Sequence, residues 1–192
     1  MKYTVITTFH QAGLELYGQK MIDTFEQYWP NSVDLVVYAE NCTPKVRKSN
    51  VKVLPLLEVS KECRRFVKRH RNNAEAHGGL GPHNQGKWSK KKSFKWQAVR
   101  FCYKVFSVQH AVNNIDSDWI IWLDADSCTH STVTLNWLQK VCPDNSDFSY
   151  LDRTDRYHSE CGWVGYHRSS SQAVDFANRF AEMYIKDEIF NH

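Results

Sequence analysis

The stretch WIIWLDAD at positions 119–126 is the part of this 192-residue sequence that decides the expected fold. Its apolar residues predict a central strand, and two carboxylates, Asp124 and Asp126, follow the apolar run directly. In open α/β sheets, ligands bind at the carboxyl ends of the strands. The sequence therefore places its first candidate binding site where this strand ends.

Segments with strand and helix patterns alternate on both sides of this stretch. We predict further strands at 3–9, 34–39, 51–56, 148–152 and 162–167, and helices at 14–28, 60–70, 93–112, 131–142 and 173–184. Strands and helices in this order predict an α/β fold. No repeat and no linker interrupts the pattern, so we expect a single domain over 1–192.

The composition excludes several classes of protein. Hydrophobic residues make up 42% and charged residues 24% of the chain, which is enough apolar surface to exclude disorder throughout. No apolar run reaches the roughly 20 residues that span a bilayer, so no transmembrane segment is predicted. The six Cys residues are scattered without a CxxC motif. We therefore expect reduced thiols and a cytoplasmic location rather than disulfide bonds or a zinc site.

Positive charge is concentrated in the middle of the chain. The whole sequence has a net charge of +4, but residues 61–104 alone contain 13 Lys and Arg against 2 Asp and Glu. Such a segment favours an anionic ligand: a nucleic acid, an anionic membrane surface or a phosphorylated small molecule. Part of it, 71–92, is a basic Gly-rich loop, which we expect to order over a bound phosphorylated ligand; the alternative is a disordered surface insertion with solvated lysines.

The positions of Asp124 and Asp126 indicate a metal site. A second Asp-x-Asp, Asp116 and Asp118, precedes the strand, at the end where ligands are not expected. Residues two apart on a strand point to the same side, so the two carboxylates after the strand can face one ligand. They repel each other unless a cation joins them, and their hard oxygens suit Mg²⁺ or Mn²⁺. The alternative is that these aspartates only cap the following helix.

Three stretches resemble the GT-A-fold glycosyltransferases. WIIWLDAD is similar to their DxD region, YTVITTFHQAGLELYG at 3–18 to their first strand and loop, and SECGWVGYH at 159–167 to their acceptor-side segment. The resemblance implies a Rossmann-like, mixed and mostly parallel sheet flanked by helices. It also implies a hexosyltransferase-type enzyme that uses manganese or magnesium. Such an enzyme moves a sugar from a nucleoside-diphosphate sugar to a glycan, a lipid-linked or a protein acceptor.

The resemblance assigns roles in donor binding to individual residues. The nucleotide pocket would be lined by three residues at the end of the first strand: Thr8, Phe9 and His10. Asp124 would contact ribose or metal, and Asp126 would bind metal. Independently of the resemblance, Lys95 and Arg100 lie on the helix ahead of the DxD strand, where they are candidates to contact phosphate.

On the acceptor side, the resemblance points to Glu160. This carboxylate would lie near the acceptor, where it could take a proton from a hydroxyl nucleophile. A further metal ligand, commonly His, would come from a C-terminal segment. His167 and His192 are candidates without a clear motif, and whether such a segment is missing from this chain stays open.

Two other functions also stay open. The basic residues 61–104 could serve a non-catalytic module that binds nucleic acid or another polyanion, although no specific nucleic-acid motif is present. DADSC at 124–128 partly resembles the DxDx[TV] motif of HAD-type phosphohydrolases. Cys128 stands where that motif has Thr or Val. That motif normally follows the first strand, whereas here three predicted strands come before the strand that ends in this segment. Stabilisation by a nucleotide sugar with manganese would separate the transferase from both.

Overall fold

The computed structural model describes residues 1–78, 97–153 and 159–191. Within these ranges the chain forms six strands: β1 (Tyr3–His10), β2 (Asp34–Glu40), β3 (Val51–Pro55), β4 (Trp119–Leu123), β5 (Phe148–Leu151) and β6 (Glu160–His167). The α-helices of the same ranges are α1 (Gln11–Gly13), α2 (Gln19–Tyr28), α3 (Leu56–Val59), α4 (Lys61–Arg69), α5 (Ala98–Asn114), α6 (Leu135–Val141) and α7 (Ser171–Ile185). A π-helical turn, Leu14–Gly18, joins α1 to α2, and a 3-10 turn, Glu188–Phe190, follows α7.

The strands form one sheet in the order β3-β2-β1-β4-β6-β5. β1 pairs in parallel with β2 and β4, and β2 pairs in parallel with β3. β6 runs antiparallel to β4, and β5 runs antiparallel to β6. The predicted α/β fold with a mixed, mostly parallel sheet flanked by helices is therefore confirmed.

Helices cover both faces of the sheet, and alternate residues of β4 enter two different hydrophobic clusters. Ile120 and Trp122 join the cluster that contains residues of α5 and α7, whereas Trp119 and Ile121 join the cluster that contains residues of α2 and α6. Successive side chains of a strand point to opposite faces. Burial on both faces explains why β4 has a continuous apolar sequence.

The end of β4 differs from the prediction. The strand ends at Leu123, and the amide of Ser127 donates to the carbonyl of Asp124 at 3.0 Å. Residues 124–127 therefore form a turn, and the same-side argument for Asp124 and Asp126 as strand residues is wrong. Their relation is set by the turn instead.

The predicted helices are present with shifted ends. The helix expected from residue 131 begins at Leu135, because the hydroxyl of Thr134 accepts the amide of Trp137 and caps it. Ser60 caps α4 in the same way, close to the predicted start. Among the helices of residues 1–78, 97–153 and 159–191, none is both long and apolar enough to cross a lipid bilayer.

The basic loop predicted over 71–92 overlaps the described residues only at 71–78. There Ala76 is fully buried, and its carbonyl accepts the amide of Val99 at 3.0 Å. This contact attaches the segment to the first turn of α5. Residues 79–92, with their expected ordering over a ligand, lie outside the described residues, and so does Lys95.

Gly165 on β6 has no room for a side chain, which provides a test of the packing of the sheet. A Cβ atom there would stand 3.0 Å from the Cβ of Ser149 and 3.1 Å from the buried ring of Trp119. We expect Gly165→Ala to lower the free energy of unfolding by about 1–3 kcal/mol, measured by urea denaturation. Gly162→Ala on the same strand is the control, since its Cβ would meet no atom closer than 3.5 Å. Equal losses in the two variants would contradict the prediction.

Candidate active site

A cleft of about 300 Å³, called the main cleft below, opens at the carboxyl ends of β1 and β4. Its walls come from three strand ends, the π-helical turn, α5 and the turn after β4: Thr8, Phe9, His10, Tyr17, Glu40, Arg100, Phe101, Lys104, Trp122, Asp124, Ala125 and Asp126. Six of these residues were predicted from the sequence, namely the three from β1 together with Arg100, Asp124 and Asp126. The fold therefore brings the predicted nucleotide, phosphate and metal residues to one place.

Hydrogen bonds order the end of β1. The hydroxyl of Thr8 lies 2.6 Å from the carbonyl of Tyr38 and 2.9 Å from Oε1 of Glu40. Nδ1 of His10 accepts a backbone amide of α1 at 3.1 Å, so this side chain caps the helix. Phe9 is only 2% exposed and belongs to the core. Of the three β1 residues, Thr8 and His10 are therefore the ones that a ligand can reach, and Phe9 supports them from below.

Asp124 is held by neighbours on three elements. Its Oδ1 accepts the indole N–H of Trp122 at 2.5 Å and lies 3.3 Å from Nζ of Lys104. Its amide donates to the carbonyl of Gly162 at 2.8 Å, which joins the turn to β6. Oδ2 lies 3.5 Å from the point where a Cβ atom at Gly162 would stand. One carboxylate oxygen is thus engaged by the protein, and the other borders the space beside Gly162.

Lys104 is a cation of the main cleft that the sequence patterns do not identify. Its Nζ donates to the carbonyl of Cys161 at 2.6 Å, pairs with Asp124 and lies 4.7 Å from the ring centroid of Trp122. Burial lowers the pKa of Lys104, and the negative charge of Asp124 opposes that shift. One feature of the sequence could have identified Lys104. It follows Arg100 by four residues, and residues four apart lie on the same side of a helix.

Asp126 is exposed in the turn and lines the main cleft together with Asp124. Two carboxylates suffice for Mg²⁺ or Mn²⁺ when phosphate oxygens and water supply the remaining ligands. In the part of the chain that the structure describes, no group of three or more His, Cys, Asp and Glu side chains could hold a metal by itself. The donor set therefore fits a cation that binds together with a phosphorylated ligand.

Glu160 lies beside Asp124, at the start of β6. Its carboxylate forms an ion pair with Arg153, and its Oε1 accepts the amides of Cys161 and Gly162 at 3.1 and 3.2 Å. Oε1 of Glu160 is also 3.5 Å from the position of a Cβ at Gly162, as is Oδ2 of Asp124. Because Gly162 has no side chain, a gap bordered by both carboxylates stays open.

His167 lies at the opposite end of the sheet from the main cleft. Because β6 runs antiparallel to β4, His167 pairs with Trp119, whereas Trp163 pairs with Leu123 next to the turn. The rings of His167 and Trp119 stack with centroids 5.0 Å apart. His167 is therefore not a metal ligand of this cleft, and His192 lies outside the described residues.

Glu40, at the end of β2, is a second residue of the main cleft that the sequence patterns do not identify. Burial raises the pKa of Glu40 to about 7, although the hydrogen bond from Thr8 and the charge of Arg100 lower it. The hydroxyl of Thr8 has one hydrogen for two acceptors, the carbonyl of Tyr38 and Glu40, but a protonated Glu40 can itself donate to Thr8. The cleft thus contains a carboxyl group that changes its charge near neutral pH.

We expect Glu40→Gln to remove a pH dependence of stability. The folded-state pKa of about 7 lies above the ordinary value of 4.5, so the folded protein binds an extra proton between these values. The stability that this proton contributes is fully present below pH 4.5 and is lost as the pH rises through about 7. Urea denaturation at a series of pH values should therefore show that the free energy of unfolding of the variant rises relative to that of the wild type as the pH increases over this interval. A difference that does not change with pH would contradict the prediction.

The basic helix α4 does not line the main cleft. Arg65 forms an ion pair with Glu62, and Arg69 forms one with Asp187 after α7. Part of the positive charge of α4 therefore holds neighbouring parts of this chain, which weakens the argument for a polyanion-binding surface. The DADSC segment at 124–128 follows β4, and three described strands precede β4, as predicted, so the likeness of this segment to a phosphohydrolase motif gains no support.

Comparison with known proteins places the fold. No protein-family model matches the chain, and no curated protein does. Mouse xyloside xylosyltransferase 1 superposes with a TM-score of 0.54 and 8% sequence identity, over 100% of this chain and 77% of that one. The glycosyltransferase GlyE of Streptococcus pneumoniae TIGR4 superposes with a TM-score of 0.51 and 10% identity, over 97% of this chain and 39% of GlyE. The chain therefore has a fold that is found in solved glycosyltransferases.

Proposed function

We propose that this chain is a glycosyltransferase that moves a sugar from a nucleoside-diphosphate sugar to a hydroxyl group of an acceptor. The observation that carries the proposal is the set of charges in the main cleft, where Asp124 and Asp126 occur together with Arg100 and Lys104. A diphosphate with its divalent cation has the charges that such a set can hold. The fold, found also in solved glycosyltransferases, supports the same assignment.

The nucleoside would lie against the end of β1. Thr8 and His10 are accessible there and carry polar atoms that can bind a base or a ribose. Glu40 lies next to Thr8 and offers a hydroxyl donor when protonated and an acceptor when ionised. With the nucleoside in this position, the diphosphate would lie next to α5 and the turn after β4.

The cations of α5 would stabilise the leaving group. When the bond between the sugar and the diphosphate breaks, negative charge grows on the diphosphate. Arg100 and Lys104 would counter this charge in a cleft where electrostatic interactions are stronger than in bulk water. The ion pair at 3.3 Å keeps Lys104 oriented toward Asp124. Asp124 and Asp126 would hold Mg²⁺ or Mn²⁺, whose charge neutralises the diphosphate.

Glu160 would act on the acceptor. As the acceptor oxygen bonds to the sugar carbon, its hydroxyl proton would pass to the carboxylate of Glu160. This proposal is supported by the gap beside Gly162, which Glu160 borders together with Asp124, a residue of the main cleft. An acceptor hydroxyl in that gap would meet Oε1 of Glu160, which also accepts the amides of Cys161 and Gly162, while Arg153 pairs with Oε2 and holds the carboxylate in place.

Calorimetry with UDP and with GDP, each in manganese and in chelator, tests the proposal. We expect one of the two nucleotides to bind and to bind much more weakly in chelator, because the two carboxylates need a cation before they accept a diphosphate. Equal affinity in chelator would overturn the role of the metal. Failure of UDP, GDP and other sugar nucleotides to bind in manganese would overturn the proposed function.

Lys104→Met should weaken binding of the nucleoside diphosphate by about 10–100-fold, since it removes a charged donor while keeping the apolar stem beside Trp122. Lys140→Met is the matched control, because Lys140 is exposed on α6 and does not line the main cleft. Calorimetry in manganese measures both variants. An affinity of the Lys104 variant within error of that of the control would show that Lys104 only pairs with Asp124.

A further inference from the structure

A second groove, of about 370 Å³, begins directly after the Asp124–Asp126 turn. We call it the aromatic groove, and its principal residues are Trp29, Trp137, Trp163, Ser127, Thr129 and His130. None of the side chains that line it, over the described residues, belongs to Asp, Glu, Lys or Arg. In this respect it is the opposite of the main cleft, whose walls carry two cations and three carboxyl groups.

Three indole rings form the wall of the aromatic groove. Trp29 and Trp163 are 6% and 8% exposed and stack at 6.4 Å, and Trp163 meets Trp137 edge to face at 5.6 Å. The indole N–H of Trp29 donates to Thr129 at 2.8 Å. Trp137, in contrast, is 44% exposed. The two inner rings are therefore fixed, and the outer ring offers its surface to a ligand.

The lining of the aromatic groove is also rich in hydroxyl groups. The segment SCTHST at 127–132 follows the turn and supplies Ser127, Thr129, Ser131 and Thr132 to the lining. Hydroxyl groups both donate and accept hydrogen bonds without carrying charge. A pyranose ring has the complementary surface: one face of C–H groups, which suits the negative face of an aromatic ring, and a rim of hydroxyl groups.

The position of the groove relates it to the main cleft. The amide of Ser127 donates to the carbonyl of Asp124, so the same turn borders both. Trp163 lies three residues after Glu160 on β6, and its backbone pairs with that of Leu123, the last residue of β4. A molecule in the aromatic groove therefore lies beside the turn that carries Asp124 and Asp126.

We propose that the aromatic groove binds a neutral pyranose ring of the acceptor, so that the acceptor is a glycan whose bound part carries no charge. The assignment of this pyranose to the acceptor, rather than to a separate lectin-like site, rests on the proposed glycosyl transfer. The ring of Trp137 forms the stacking platform, and the hydroxyl groups of 127–132 bind the sugar rim.

Saturation-transfer NMR and tryptophan fluorescence with a panel of neutral methyl pyranosides and oligosaccharides test the proposal. We expect one of these sugars to bind at millimolar concentration or better, with its C–H face against the protein. Trp137→Ala should weaken that binding by about tenfold or more, and Trp137→Phe should retain most of it, because a ring remains. Leu135→Ala is the control, since Leu135 is exposed at 46% on the same helix but does not line the groove.

Several outcomes would overturn the proposal. These are no binding by any neutral sugar, binding that Trp137→Ala leaves unchanged, and preference for an acidic oligosaccharide or an alkyl chain over neutral sugars. Nucleotide binding, measured separately by calorimetry, reports on the main cleft. Sugar binding without any nucleotide binding would disprove the proposed transfer but keep the groove as a sugar site. Nucleotide binding without sugar binding would disprove the groove as a sugar site but keep the proposed transfer.

Discussion

Asp126→Asn is expected to lower glycosyl transfer by more than about a hundredfold and to abolish the dependence of nucleotide binding on manganese. Loss of a residue that merely orients a metal ligand typically costs 10–100-fold, and loss of a ligand itself costs more. Asp126 is exposed in the turn after β4, so an amide of the same size leaves the fold intact. Transfer assays and calorimetry with manganese and with chelator measure the two effects.

Asp116→Asn is the matched control for this prediction. Asp116 belongs to the other Asp-x-Asp pair, ahead of β4, and its side chain is 99% exposed. Its contacts are ion pairs with Lys2 at 3.6 Å and Arg168 at 3.9 Å, and exposed pairs of this kind contribute little. The control should keep normal transfer and normal metal dependence. Equal effects of the two substitutions would show that the position after the strand has no special role.

Glu160→Gln is expected to reduce turnover by about 10²–10⁴-fold while changing donor affinity little, since this is the usual contribution of a general base. Gln keeps an oxygen that can accept the amides of Cys161 and Gly162, so the start of β6 should keep its shape. Steady-state kinetics measures turnover, and calorimetry with the nucleoside diphosphate measures donor affinity.

Glu188→Gln serves as the control for Glu160→Gln. Glu188 is also paired with an arginine, Arg179 at 3.2 Å, but it lies after α7 and does not line the main cleft. The substitution Glu188→Gln removes one ion-paired carboxylate and leaves the residues of the main cleft unchanged. If Glu160→Gln turns over as fast as this control, the role of Glu160 is limited to its contact with Arg153.

Much of the fold was predictable because its signals are local. The apolar run of β4 indicates a strand that is buried on both faces. Apolar residues that recur at steps of three and four indicate the helices. The errors in the predicted fold occur at the ends of strands and helices. Thr134 shortens α6 by capping it, and the hydrogen bond from Ser127 to Asp124 closes a turn where the strand was expected to continue. A single hydrogen bond decides each end, and spacing alone does not reveal it.

The sequence by itself determined the α/β class, the strand order along the chain and the position of Asp124 and Asp126 after a central strand. These follow from periodicity and from the rule that ligands bind at strand ends. Only the tertiary structure decided that Lys104 joins Asp124, that Glu40 is buried with a raised pKa, and that His167 lies far from the cleft. Each of these depends on which strands and helices become neighbours. Pairing of segments distant in the chain places and buries such side chains, and no local pattern records that pairing.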